Sequence, residues 1–276
     1  MSGFAADHQG AEVRTSPNFG PRRASTGAGA RSGARSGASS GDGPDMIVLH
    51  YTGMESGLAA ENWLCMPESQ VSAHYIVHED GRIVQMVREQ DRAWHAGAGS
   101  WRGDTDVNSR SIGIEIVNGG ADFGSPAFPR RQIAAVISLC RGIIARHGIA
   151  PEMVVGHSDT APGRKIDPGE KFPWGLLAAR GIGHWVPPSP IMPGDEGLDS
   201  GARDSRVREM QAGLRAYGYG VEITGELDVA TMFAVKAFQR HFRPSRVDGR
   251  IDASTAATLK ALQAALSARP APGDLS

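Results

Sequence analysis

A gapless internal repeat near the end of the chain limits its fold more than any other feature. TGELDVAT (224–231) and DGRIDAST (248–255) align with Gly225 on Gly249, an offset of 24 residues, and the match continues through Lys236/Lys260, Ala237/Ala261 and Gln239/Gln263. Each copy reads as a glycine turn, an apolar residue, an aspartate and then a helix. Asp228 and Asp252 stand where N-caps belong, because a carboxylate there accepts hydrogen bonds from the free N–H groups of the first helical turn. With the helical spacing over 207–217, the two copies make a small three-helix domain over residues 204–266, with a tail at 267–276. Val235, Phe238 and Phe242 supply its apolar face.

The rest of the chain is organised differently. Residues 24–43 form a Gly/Ser/Ala/Arg tract with a local repeat, GARSGARSGASSG. Such a composition cannot bury a core and is expected to be flexible, so residues 1–45 read as an N-terminal segment. From residue 46 apolar runs of strand length alternate with helical spacing. MIVLHY (46–51) reads as a buried strand, 55–64 as a short helix, and 71–77 with 82–87 as a hairpin around Gly81. SIGIEIV (111–117) alternates as a strand. Residues 130–147 carry apolar residues at Ile133, Val136, Ile137, Cys140 and Ile144, with Gly148 as the stop. A strand over 153–156 and short helical stretches around 174–180 complete an α/β domain over 46–186, with a mixed sheet flanked by helices. The Pro/Gly-rich residues 187–203 read as a linker.

Composition excludes several classes. Lys+Arg number 29 against 30 Asp+Glu, a net charge of -1, which argues against a nucleic-acid binder. Two cysteines against nine histidines exclude a disulfide scaffold and a cysteine-based zinc finger. Cys65 and Cys140 fall in helical patterns and read as core residues. The N-terminus lacks a basic region followed by an apolar run, and the longest apolar stretch, 133–145, is broken by Arg141 and too short for a bilayer. The expected compartment is therefore the cytoplasm. Export to the periplasm or wall is the alternative if the start codon is misassigned.

Three residues are placed as metal ligands would be. His50 ends the first buried strand, His157 follows the strand at 153–156, and Asp167 lies in the stiff loop GRKIDPG (163–169). Two imidazoles and a carboxylate with one open position are the donor set of a catalytic zinc site. Spacing alone leaves a second reading open, in which His50 and His157 are ordinary strand-end histidines.

MIVLHY (46–51) followed by Thr52-Gly53, SAHY (72–75), WHAG (94–97), SIGIE (111–115), VGHSD (155–159) and KIDPG (165–169) together resemble the zinc-dependent N-acetylmuramoyl-L-alanine amidases, which are related to peptidoglycan recognition proteins. The resemblance covers about residues 46–175. SPNFGPR (16–22) also resembles a segment that precedes the first strand in one branch of the family, here separated from it by the Gly/Ser tract. The C-terminal repeat resembles a peptidoglycan-binding module. The resemblance implies that His50, His157 and Asp167 hold Zn2+, that Glu115 activates the attacking water, and that Lys165 stabilises the charge developing on the substrate. It implies a hydrolase that cuts the bond between N-acetylmuramic acid and L-alanine, with peptidoglycan or anhydro-muropeptides as its partner. His74, Trp94 and His95 are candidates for the substrate cleft, with structural roles equally open for each. Arg110 and Asn118 are weaker candidates for peptide contacts.

Overall fold

The computed structural model of the protein describes residues 4–23 and 43–268. The expected flexibility of the 24–43 tract falls, apart from Gly43, outside the described residues, as does the end of the tail. Six strands form one mixed sheet. In spatial order they are β1 (Glu12–Val13), β5 (Ile83–Gln85), β4 (Tyr75–Val77), β7 (Ser111–Ile116), β3 (Met46–Tyr51) and β8 (Val154–Gly156). The strands β4, β7, β3 and β8 run parallel, and β5 pairs antiparallel with β4. A second, two-stranded antiparallel sheet joins β2 (Phe19–Pro21) to β6 (Asp91–Ala93).

The central strands are apolar because both faces of the sheet are covered. Helix α1 (Gly57–Leu64) starts at Ser56, whose side chain accepts from the Ala59 N–H. Helix α2 (Val107–Arg110) is one turn leading directly into β7. Helix α3 (Arg130–His147) ends at Gly148, which takes the left-handed φ of 64° that its position requires. The buried stripe of α3 differs from the sequence reading. It is centred on Val136, Leu139, Cys140 and Ile143, while Ile144 is only partly buried. Both residues flank a 3.6-residue stripe, and the packing of the helix on the sheet selects Ile143. The hairpin at 71–77 and 82–87 is shorter than its β-rich runs. Ser72 turns away to bond Trp94, while the His74 carbonyl still accepts from the Met86 N–H across the hairpin and its N–H donates to Gly113 on β7.

Two short helices follow β8: α4 (His157–Thr160), which begins at His157 itself, and α5 (Trp174–Ala178). Three longer ones complete the described residues: α6 (Ser205–Tyr217), α7 (Val229–Phe242) and α8 (Ala253–Ser267). Asp228 accepts from the Thr231 N–H at 2.7 Å and Asp252 from the Thr255 N–H at 2.6 Å, so both aspartates cap as the repeat predicts. Each glycine turn is also braced by a buried glutamine. The Gly225 N–H donates to Gln211 Oε1 and the Gly249 N–H to Gln239 Oε1, both at 2.8 Å. The sequence alignment paired Gln239 with Gln263, whereas the structural counterpart of Gln239 is Gln211.

The helical unit does not stand apart from the sheet. One apolar core runs from β3 and α3 through Trp101, Tyr217 and Tyr219 into Phe238, Phe242 and Leu259. Trp101 meets the Tyr219 ring edge to face at 5.0 Å. Residues 187–203 lie along the helices, with the Ser189 N–H bonded to Thr258 and Leu198 bridged to Ile251. Among the described residues, no helix is long and apolar enough to cross a membrane.

Candidate metal centre

Three adjacent parallel strands end in a row of functional side chains. His50 on β3 is in register with Glu115 on β7, and Leu49 is in register with Gly156, the residue before His157. Partners in register project to the same face of a sheet, so His50 and Glu115 share a face and His157 falls into line beside them. The loop after α4 brings Asp167 back, and the Ser158 N–H donates to the Asp167 carbonyl at 2.9 Å. His50, His157 and Asp167 are all buried, and their candidate ligand atoms lie within 4.8 Å of one another.

The hydrogen bonds around this group decide which nitrogens are free. Ser111 Oγ donates to the Val107 carbonyl at 2.6 Å and therefore accepts from His95 Nε2 at 3.2 Å. His95 Nδ1 then accepts from His50 Nε2 at 3.0 Å. His157 Nε2 faces the Ala96 carbonyl at 2.8 Å and must donate to it. In neutral rings this leaves Nδ1 of both His50 and His157 unprotonated. Those two nitrogens lie 2.9 Å apart, and Asp167 Oδ2 lies 3.1 Å from His50 Nδ1 and 3.0 Å from His157 Nδ1. Three lone pairs converge with no proton between them, an arrangement that a cation would satisfy. The three separations are close to the roughly 3.3 Å edge of a tetrahedron whose metal–ligand bonds are ~2.0–2.1 Å. The donor set therefore fits zinc.

Electrostatics agree with that reading. Burial, together with the neighbouring His157, pushes His50 down to about 4. Burial would raise the Asp167 carboxyl, but its bonds to His157 and His50 outweigh this and hold it well below the usual carboxylate range. Burial and the Asp167 charge push Glu115 far above that range, and the nearby Lys165 ammonium only partly opposes them. Glu115 Oε2 is buried and has no hydrogen-bond partner among the described residues, so a carboxylate of high proton affinity stands beside the ligand triangle with one oxygen uncommitted.

Of the cleft candidates, Trp94 and His95 are half-buried. His95 sits behind His50 and its Nδ1 accepts from His50 Nε2, which holds the ring of that candidate ligand. Gly113 makes room for this ring, because a Cβ there would lie 2.3 Å from His95 Cγ. His74 does not reach the cleft. It is fully buried, its Nδ1 accepts from the Gly113 N–H at 2.9 Å, and its Nε2 meets the Asp91 carbonyl at 3.1 Å. Burial and the Arg22 charge lower it to about 3, so it is a neutral link between strands. Arg110 is held by both oxygens of Asp45. Asn118 is spent on its own loop, bonding Pro126 and Gly120. Cys140 is fully buried in α3, where burial pushes its thiol up to about 12. Cys65 is half-buried and donates to the Arg14 carbonyl.

Known proteins resemble this chain in sequence and fold. Residues 40–170 match the family described as N-acetylmuramoyl-L-alanine amidase, and residues 203–259 match a putative peptidoglycan binding domain. The N-acetylmuramoyl-L-alanine amidase AmiD of Escherichia coli is 39% identical over 234 residues, 79% of this chain and 81% of that protein. The 1,6-anhydro-N-acetylmuramyl-L-alanine amidase AmpD of Citrobacter freundii is 38% identical over 110 residues, 40% of this chain and 57% of its own length. Among solved structures, AmpDh3 of Pseudomonas aeruginosa superposes with a TM-score of 0.70 at 35% identity, covering 86% of this chain and 98% of that one. A complex of E. coli AmiD superposes with a TM-score of 0.69 at 35% identity, covering 84% and 92%. By its sequence and its fold, the chain belongs to the N-acetylmuramoyl-L-alanine amidase family.

Proposed function

We propose that the protein is a zinc-dependent hydrolase of the amide between the lactyl group of N-acetylmuramic acid and L-alanine in peptidoglycan fragments, the 1,6-anhydro form included. One observation carries this reading: the converging lone pairs of His50, His157 and Asp167 stand beside Glu115, whose Oε2 is uncommitted. When bound to the two histidines and the aspartate, zinc supplies Lewis acidity, polarising the scissile carbonyl and lowering the pKa of a water towards ~7.

The chain's own groups do the rest. Glu115 takes a proton from the attacking water as its oxygen bonds the carbonyl carbon. Glu115 then returns that proton to the alanine nitrogen as the C–N bond breaks, so the products are a muramic acid carboxylate and a free peptide amine. Lys165, two residues from Asp167 on the same loop, brings its ammonium to the carbonyl oxygen as that atom gathers charge. The bonds from His50 to His95 and from His157 to Ala96 keep both rings aimed during turnover.

The relatives support the substrate class. The AmiD complex holds anhydro-N-acetylmuramic acid-L-Ala-D-gamma-Glu-L-Lys, and an AmpDh3 complex holds anhydromuramic pentapeptide. The match of residues 203–259 to a peptidoglycan binding domain favours a second substrate, the intact sacculus. Mass spectrometry of digested muropeptides tests the chemistry: free sugar with intact peptide is expected, and shortened peptides or no product would overturn it. Fractionation of the native protein separates a cytoplasmic recycling enzyme from one that acts on the wall.

A further inference from the structure

The C-terminal helical unit has a second set of contacts that a wall anchor does not need. They converge on Asp159, two residues after His157 and fully buried. One oxygen of its carboxylate accepts from the Tyr219 hydroxyl at 2.7 Å. The other accepts from His241 Nδ1 at 2.7 Å and from the Gly156 N–H at 2.7 Å. Asp159 thereby closes the turn of α4, whose first residue is His157. Two of its three partners come from the helical unit, and both are buried.

Helix α7 reinforces this junction along one face. Phe233, Arg240 and His241 are seven and eight residues apart, which places them on the same side of a helix. A Cβ at Gly163 would lie 2.6 Å from the Phe233 ring, so this helix backs directly onto the loop carrying Lys165 and Asp167. Arg240 pairs with Glu170 at 2.8 Å. The His241 ring stacks on Trp174 with centroids 3.7 Å apart. The segment from Gly156 to Trp174, which supplies two of the three candidate ligands, is thus clamped from outside the sheet.

We infer that Tyr219 and His241 are positioning residues: by holding Asp159 they set the turn that presents His157, so the helical unit completes the metal centre as well as serving any role in binding the wall. This inference rests on the metal site proposed above. A four-residue helix cannot hold its shape alone, because too few hydrogen bonds repay its nucleation. An Asp159 deprived of its donors would be a buried charge without compensation, and the turn would rearrange to hydrate it.

The test uses the full chain with Tyr219→Phe, His241→Leu and His241→Asn. Asparagine can place an amide N–H near the Nδ1 position and keep the donation to Asp159, whereas leucine cannot. Zinc affinity is measured by competition with a chelator, and amide hydrogen exchange is followed at 156–161 in the metal-free protein. Tyr219→Phe and His241→Leu are expected to weaken zinc binding about tenfold or more and to speed exchange at 156–161 relative to β3, with His241→Asn restoring both. Unchanged affinity and exchange, or a His241→Asn protein no better than His241→Leu, would overturn the inference. A wild-type protein that takes up no zinc would refute the metal reading instead, and the exchange rates alone would then decide whether Tyr219 and His241 hold the turn.

Discussion

Replacing Gly113 with alanine should damage the metal centre without touching a ligand. The new Cβ would lie 2.3, 2.5 and 2.6 Å from His95 Cγ, Cδ2 and Nδ1. Carbon atoms pack at about 3.5–4.0 Å, so one side must give way by about 1 Å. The backbone of β7 is the stiffer side, since Gly113 is in register with Val48 on β3 and its N–H and carbonyl both bond His74. The His95 ring must move instead. A retreat of that size takes its Nδ1 away from His50 Nε2, now 3.0 Å distant, and past the limit of a useful hydrogen bond. Losing the group that orients a metal-binding histidine weakens metal binding by about 10–100-fold, or about 1.4–2.7 kcal/mol. The overpacking itself should cost the metal-free fold about 1–3 kcal/mol. Chelator competition measures the first quantity and urea unfolding of the metal-free protein the second. A double-mutant cycle with His95→Ala isolates the cause: once the ring is gone, Gly113→Ala should weaken zinc binding no further. Wild-type affinity in Gly113→Ala, or losses in the two single variants that simply add, would refute the reasoning.

Three other outcomes are expected. Glu115→Gln should retain zinc by elemental analysis while muropeptide hydrolysis falls about 10²–10⁴-fold; full activity would remove Glu115 from the mechanism. Asp228→Ala and Asp252→Ala occupy equivalent places in the repeat but should differ in urea unfolding. The first removes a cap and an exposed bond from the Thr224 hydroxyl, and costs about 1 kcal/mol. The second also strands Arg243, whose side chain is 1% exposed and bonds Asp252 at 2.9 Å, and should cost about 3–5 kcal/mol. Burial pushes the Glu89 carboxyl up, but bonds from His147, Arg146 and Tyr75 outweigh it and hold it at about 2 against an ordinary 4.5. Because the folded value is the lower one, this stabilisation is full above pH 4.5 and is lost as the pH falls towards 2. It amounts to about 3 kcal/mol, so unfolding of Glu89→Gln should depend less steeply on pH across that range than wild type.

Much of the site is legible in the sequence because its chemistry depends on residue type and strand position. His50 and His157 stand at the ends of apolar runs, and the alternation around Ile114 and Ile116 puts Glu115 on the opposite face. What the sequence conceals are contacts between remote segments. The turn at His157–Thr160 has four residues, too few for a periodic signal. His74 and His95 look alike in sequence. Only the structure shows one ring buried between strands and the other bonded to His50. Gln211 has no partner in the repeat alignment, yet it braces the first glycine turn as Gln239 braces the second.

By itself the sequence determines what short-range rules can decide. Helix caps, glycine turns and the period of apolar residues depend on neighbours within a few positions, and they yield the strands, the helices and the repeated module. Only the tertiary structure decides how these parts meet. Sheet register sets Glu115 beside His50, a hydrogen-bond chain ending at Val107 frees His50 Nδ1, and Asp159 fastens the helical unit to the turn at His157. Each of these depends on groups that are distant along the chain and buried together, where an unpaired donor, acceptor or charge costs too much to leave unmatched.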